Sequence, residues 1–223
     1  MATATAHPAR FLHKHRIEAL TDGIYAVAMT ILVLELKFDH GATFATAADF
    51  HSALLHLFPK FFAWIISFSI LATFWISHHR AFHFVKTVDV KLLWINLWGL
   101  IFASFLPFAS SMVGEHTRFF TAQAMYAVTM AGMALVAIVQ ITYLERHPEL
   151  CDPPVPHYVA NGARFRCFSI VAVAILAIVI SAWQPLFGTA AFILMAVMGR
   201  IGRGIETRAA EREAQLSSDR PFP

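Results

Sequence analysis

Six apolar runs, near residues 17–38, 54–79, 92–113, 120–144, 165–184 and 186–203, decide what this chain can fold into. Each is about 20 residues long, the length of helix that crosses a bilayer. Inside hydrocarbon the backbone N–H and C=O groups have no water to bond, and a helix satisfies them within the segment. Charged residues make up 14% of the chain, where a soluble domain carries roughly 25%. The expected architecture is an all-α membrane protein: six transmembrane helices within 17–203, a cytoplasmic head at 1–16 and a cytoplasmic tail at 204–223. Pro185 follows Trp183 and Gln184 with almost no loop, a corner that suits a helix hairpin.

Basic residues set the orientation. With the N-terminus inside, only Lys37, Lys60 and Arg118 of the 17 Lys and Arg fall in outside segments. That asymmetry is the positive-inside pattern, and it places both termini in the cytoplasm. The opening Met-Ala-Thr-Ala-Thr-Ala-His-Pro has no apolar core ahead of a cleavage site, so the first span is expected to act as an uncleaved anchor. A short outside helix is expected in 39–53. Segment 147–161, with Pro148, Pro153, Pro154 and Pro156, reads as a stiff cytoplasmic connector. The tail 203–216 alternates Arg and Glu, as a solvated helical extension would. Cys151 and Cys167 are too few for a disulfide framework.

The first run differs from an ordinary span. Asp22 lies about a turn and a half inside its start, and Thr30 sits near its middle. An acid within an apolar span costs a few kcal/mol unless it is partnered, which marks it as a functional position. Val27, Ile31 and Leu34 recur at i, i+4 and i+7 and stack along one helix face. Gly23, Ala26 and Ala28 on the same helix permit close approach of a neighbour. A stripe of this kind serves packing or lines a pore.

Topology brings three polar clusters to one depth. Arg16, Glu18, Thr21 and Asp22 open the first span, Trp75, Ser77, His78, His79 and Arg80 close the second, and Lys91 and Asn96 open the third. Such groups satisfy one another where water is scarce, either locking three helices together or taking a direct part in gating. Glu18 and Asp22, at i and i+4, repel unless a cation or donor lies between them, and His79 and Arg80 are the candidates. His79 and His83 have a spacing that can share a metal, but no third ligand accompanies them, so no metal site is expected. Glu35 either gathers cations at an outer mouth or pairs with Lys37. Hydrolase, metalloprotease, phosphate-loop and dinucleotide motifs are missing from the sequence, which argues against an enzyme and against a cofactor. The basic residues flank membrane spans, so nucleic-acid binding has no support. No Thr-Val-Gly-Tyr-Gly filter occurs, and any ion selectivity must come from side chains in a narrow tube.

At these residues the chain resembles the lysosomal and prokaryotic potassium-channel family known as transmembrane protein 175. The family signature R-x-x-x-F-S-D is similar to Arg16-Ile17-Glu18-Ala19-Leu20-Thr21-Asp22, with Leu20 in place of Phe and Thr21 in place of Ser. Trp75-Ile76-Ser77-His78-His79, Asn96 and Leu106-Pro107-Phe108 are similar to family features as well. The resemblance implies a six-helix subunit whose first helix lines a central pore. It also implies that subunits with a single repeat assemble as homotetramers. Counted from the signature aspartate, the family's pore constrictions fall on Val27, Ile31 and Leu34, and its selectivity hydroxyl on Thr30.

The expected function is a potassium-preferring passive cation channel in a bacterial inner membrane. Its partners would be other copies of itself, membrane lipids and permeant cations, K+ first among them. A rival reading is a secondary transporter that moves cations or protons through Asp22 and His79. Transporters of that kind often carry inverted repeats and broken helices, and the sequence displays neither.

Overall fold

The computed structural model describes residues 13–38, 43–184 and 191. Helices occupy Lys14–Leu34 (α1), Ala47–His56 (α2), Phe58–His83 (α3), Val90–Glu115 (α4), Phe120–Arg146 (α5) and His157–Trp183 (α6), with a 3-10 turn at Pro148–Leu150. All but α2 are long and apolar enough to cross a membrane. The expected sixth span at 186–203, the tail and residues 1–12 of the head lie outside the described residues.

Local chemistry moves several helix ends from where hydropathy alone put them. Pro59 in the first turn starts α3, so the second span runs four residues later than 54–79. The residues before it belong to α2, whose start is a capping box. Thr46 Oγ1 accepts from the Asp49 amide at 3.1 Å, and the Asp49 carboxylate accepts from the Thr46 amide at 2.9 Å. Asp89 caps α4 by accepting from the Leu92 amide at 2.8 Å. Pro156, extended, immediately precedes α6, which therefore begins at His157 rather than near 165. At the other end of α1 the helix stops at Leu34 rather than 38. Phe38 has left it to pack with Phe44 and Phe50, ring centroids 5.1 and 5.7 Å away.

α1 packs against α3 and α4, α4 against α3 and α5, and α5 against α6. The helix interiors carry polar groups that partner one another. Tyr126 donates to Ser67 at 2.9 Å, Ser67 to Ser110 at 2.8 Å, and Ser110 to the Ala63 carbonyl at 3.4 Å. Three hydroxyls from three helices thus form one hydrogen-bonded chain that ends on a backbone acceptor.

A smaller apolar cluster, including Ile17, Phe82, Val88, Leu92, Leu144 and Leu150, closes the end where α1 starts. The proline-rich connector is docked there: the Lys86 amide donates to the Leu150 carbonyl at 2.7 Å, and the Asp152 amide to the Phe84 carbonyl at 2.8 Å. Burial in this cluster pushes the Cys151 thiol up, which keeps it protonated and unreactive.

Gly132 on α5 leaves room for an aromatic ring of α4. A Cβ there would stand 2.4 Å from the Phe102 ring of α4. Gly132→Ala is expected to destabilise the subunit by about 1–3 kcal/mol through overpacking. Gly99→Ala, whose Cβ would meet Val136 at an ordinary 3.5 Å, should be neutral or mildly favourable. Thermal unfolding of the two variants in detergent checks the contrast.

Candidate functional site

α1 divides cleanly into two faces. Ile17, Thr21, Tyr25, Ala28 and Leu32 repeat at three- and four-residue spacing and are buried against α3 and α4. A neighbouring side carries Leu20, Val27, Ile31 and Leu34, which remain 45%, 55%, 39% and 68% exposed in the single subunit. An open groove of about 380 Å3 runs along it, lined by Leu20, Gly23, Val27 and Ile31 with Ser104 of α4 on its flank. Thr30 lies on the exposed side too. Its hydroxyl donates to the Val27 carbonyl at 2.8 Å, which commits the proton to the helix and leaves the oxygen lone pairs outward.

The other face is fastened by polar contacts at the start of α1. Asn96 of α4 donates from Nδ2 to Thr21 Oγ1 at 2.9 Å, and both residues are buried. Trp75 of α3 donates from its indole to Asp22 Oδ1 at 2.8 Å. His79 stacks on that indole with centroids 5.9 Å apart, and His78 lies on Phe82 at 4.1 Å. Arg16 and Arg80 are exposed at this end.

The carboxylates at this end each have a partner of their own. Glu18 pairs with Lys14 of its own helix at 3.6 Å and with His15 at 3.5 Å. A lysine one turn back meets Glu18, and the indole N–H of Trp75 donates to Asp22. Glu35 takes the pairing that was the alternative to a cation-gathering role. It lies 3.8 Å from Lys37 and accepts from Ser111 of α4 at 2.7 Å. Beside it Lys60 reaches Glu115 at 3.4 Å. Among the described residues no three His, Cys, Asp or Glu side chains gather as a metal site would need, and His79 and His83 gain no third ligand.

Sequence reasoning missed Ser111, the Ser67–Ser110–Tyr126 relay and Gln140 of α5, which is buried. A serine in an apolar run gives no signal of its role. Ser69 and Thr73 on the same α3 bond back to their own helix instead, at 2.8 Å each.

Residues 16–107, which hold the whole α1 face and its polar fastening, match the family described as endosomal/lysosomal potassium channel TMEM175. A potassium channel of a Chryseobacterium species is 32% identical over 186 residues, covering 83% of this chain and 91% of that one. A potassium channel of Streptomyces collinus is 31% identical over 159 residues, 68% of this chain and 74% of that one. In structure, the chain is similar to the crystal structure of a lysosomal potassium-selective channel TMEM175 homologue from Chamaesiphon minutus. The TM-score is 0.70 at 24% identity, over 85% of this chain and 97% of that one.

Proposed function

The chain belongs to the TMEM175 family, and on that premise we propose that it is a passive, potassium-preferring cation channel whose pore is lined by α1. The relatives it matches are named as ion channels, not enzymes. The observation that carries the reading is the stripe Val27, Ile31 and Leu34, which lies beside the buried face and which the subunit itself leaves exposed. One helix encloses nothing; four symmetry-related copies of α1 enclose a tube, and the homotetramer is part of the proposal. In that tube the stripe becomes three stacked apolar rings, which gate by excluding water.

Thr30, one turn from Val27 and beside Ile31, supplies the ring of oxygens. With its proton held by the Val27 carbonyl, the hydroxyl presents acceptors to a passing cation and replaces part of its hydration shell. Potassium sheds water at lower cost than sodium, so partial replacement favours it. The residues 17–203 would form the membrane domain, with 1–16 and 204–223 cytoplasmic. Arg80, Lys86, Lys91, Arg146 and Arg164 all sit at the end where α1 starts, and the positive-inside rule puts that end in the cytoplasm of a bacterial inner membrane.

The test is a reversal potential across a planar bilayer with potassium on one side and sodium on the other. Current that needs no coupled gradient and reverses toward the potassium equilibrium potential is the expected result. Thr30→Val keeps the shape and removes the oxygen, and it should move the reversal toward zero while leaving conductance present. Uptake that follows a proton gradient without steady current would overturn the channel in favour of transport through Asp22 and His79.

A further inference from the structure

Behind the buried face of α1 lies a second polar feature, which is separate from the stripe. A cavity of about 50 Å3 is lined by His78 of α3, Asn96 of α4, Met133 and Gln140 of α5, and Cys167 of α6, with Tyr25 of α1 at its edge. Gln140 is 8% exposed, and its amide nitrogen has no hydrogen-bond partner among the described residues. The Nε2 atom of His78 is buried and in the same position. The two side chains also interact directly with each other. Each nonetheless keeps a buried nitrogen without a hydrogen-bond partner, and such atoms at membrane depth cost free energy that a native fold does not leave uncompensated.

We infer that this cavity is a binding site for ordered water, bridging Gln140 to His78. The chemistry of the donor set selects the occupant. The Gln140 nitrogen can only donate, whereas a neutral imidazole Nε2 donates or accepts according to tautomer. A bare cation would face the amide hydrogens and is repelled by them. Water accepts from Gln140 and either donates to or accepts from His78, so it fits both partners in either tautomer. The volume suits it as well, since each water needs roughly 10–15 Å3 of such space. The site ties α5 to α3 and borders Asn96, the residue that holds Thr21 of α1. Hydration therefore reaches the back of α1 without entering the proposed pore, and the inference does not depend on what the pore conducts.

Radiolytic hydroxyl labelling of the intact protein in lipid nanodiscs tests it, because radicals formed from an ordered water oxidise the sulfur beside it. Met133 and Cys167 line the cavity and are only 3% and 5% exposed, while Met130, 0% exposed, is not among the cavity residues. Labelling at Met133 and Cys167, with none at Met130, is the expected result. In Gln140→Leu, labelling at both sulfurs should fall to the level of Met130. Unlabelled Met133 and Cys167 in the wild-type protein would overturn the site. So would equal labelling of Met130, which would mean solvent pervades the core. Undiminished labelling in a folded Gln140→Leu protein would remove Gln140 from the site. If that variant does not assemble, the wild-type contrast decides alone.

Discussion

Ile31→Asn is expected to raise the basal potassium current at least about tenfold, which corresponds to roughly 1.4 kcal/mol in the equilibrium between a dry and a wet constriction. The magnitude follows from side-chain chemistry. In the proposed pore a ring of isoleucines would surround the axis with methyl and methylene groups, and each such group resists hydration by about 0.8 kcal/mol. Asparagine removes that surface and offers amide groups that hold water in the neck, so four substitutions together have ample leverage to wet it. The substitution should leave the fold intact, because Ile31 is 39% exposed in the subunit and contributes little to its core. Leu32 provides the contrast. It is 1% exposed, and Leu32→Asn should lose protein rather than gain current. Planar-bilayer recording at matched protein amounts separates the two, and an unchanged current in a folded Ile31→Asn tetramer would take Ile31 out of the gate.

What the sequence revealed and what it concealed both have physical causes. The long helices were legible because hydrocarbon leaves a run of about 20 apolar residues little alternative. Their ends were not, because capping is local. Pro59, Asp89 and Pro156 fix where α3, α4 and α6 begin, and a hydropathy window averages over all three. The two faces of α1 were legible in part. Val27, Ile31 and Leu34 share a face by spacing, but only packing reveals that Thr21, Tyr25 and Ala28 take the inner one. The joining of Thr21 to Asn96 and of Asp22 to Trp75 follows from placing three polar clusters at one depth. The exact partner of Glu18 did not follow, because Lys14 lies in a segment that reads as a head yet belongs to α1. Gln140 and the hydroxyl relay were invisible for a different reason. Their meaning depends on which residue of another helix comes opposite, and a single apolar run carries no register information.

Asp22→Ala should weaken folding and assembly well before it changes ion preference. Asp22 lies near the start of α1, on the side fastened to α3, and its carboxylate holds the Trp75 indole at 2.8 Å. Hydrogen bonds to charged groups contribute about 1.5–3 kcal/mol, and the exposure of both partners puts this one near the lower end. The proposed tetramer would repeat the loss four times, so roughly 6 kcal/mol would bear on the assembled channel even at about 1.5 kcal/mol per subunit. Asp22→Asn keeps an acceptor at the same place and should recover much of the tetramer. Trp75→Phe removes the donor, so combining it with Asp22→Ala should cost little beyond either change alone, the signature of a shared interaction. The readouts are the tetramer fraction in detergent, the thermal midpoint and, for protein that survives, the potassium-to-sodium reversal potential. A reduced tetramer fraction with an unshifted reversal places Asp22 in the fastening of α1. A fully assembled Asp22→Ala channel with altered ion preference would instead place that carboxylate on the ion path, and the wall of the pore would have to extend past Leu20 to the cytoplasmic end of the helix.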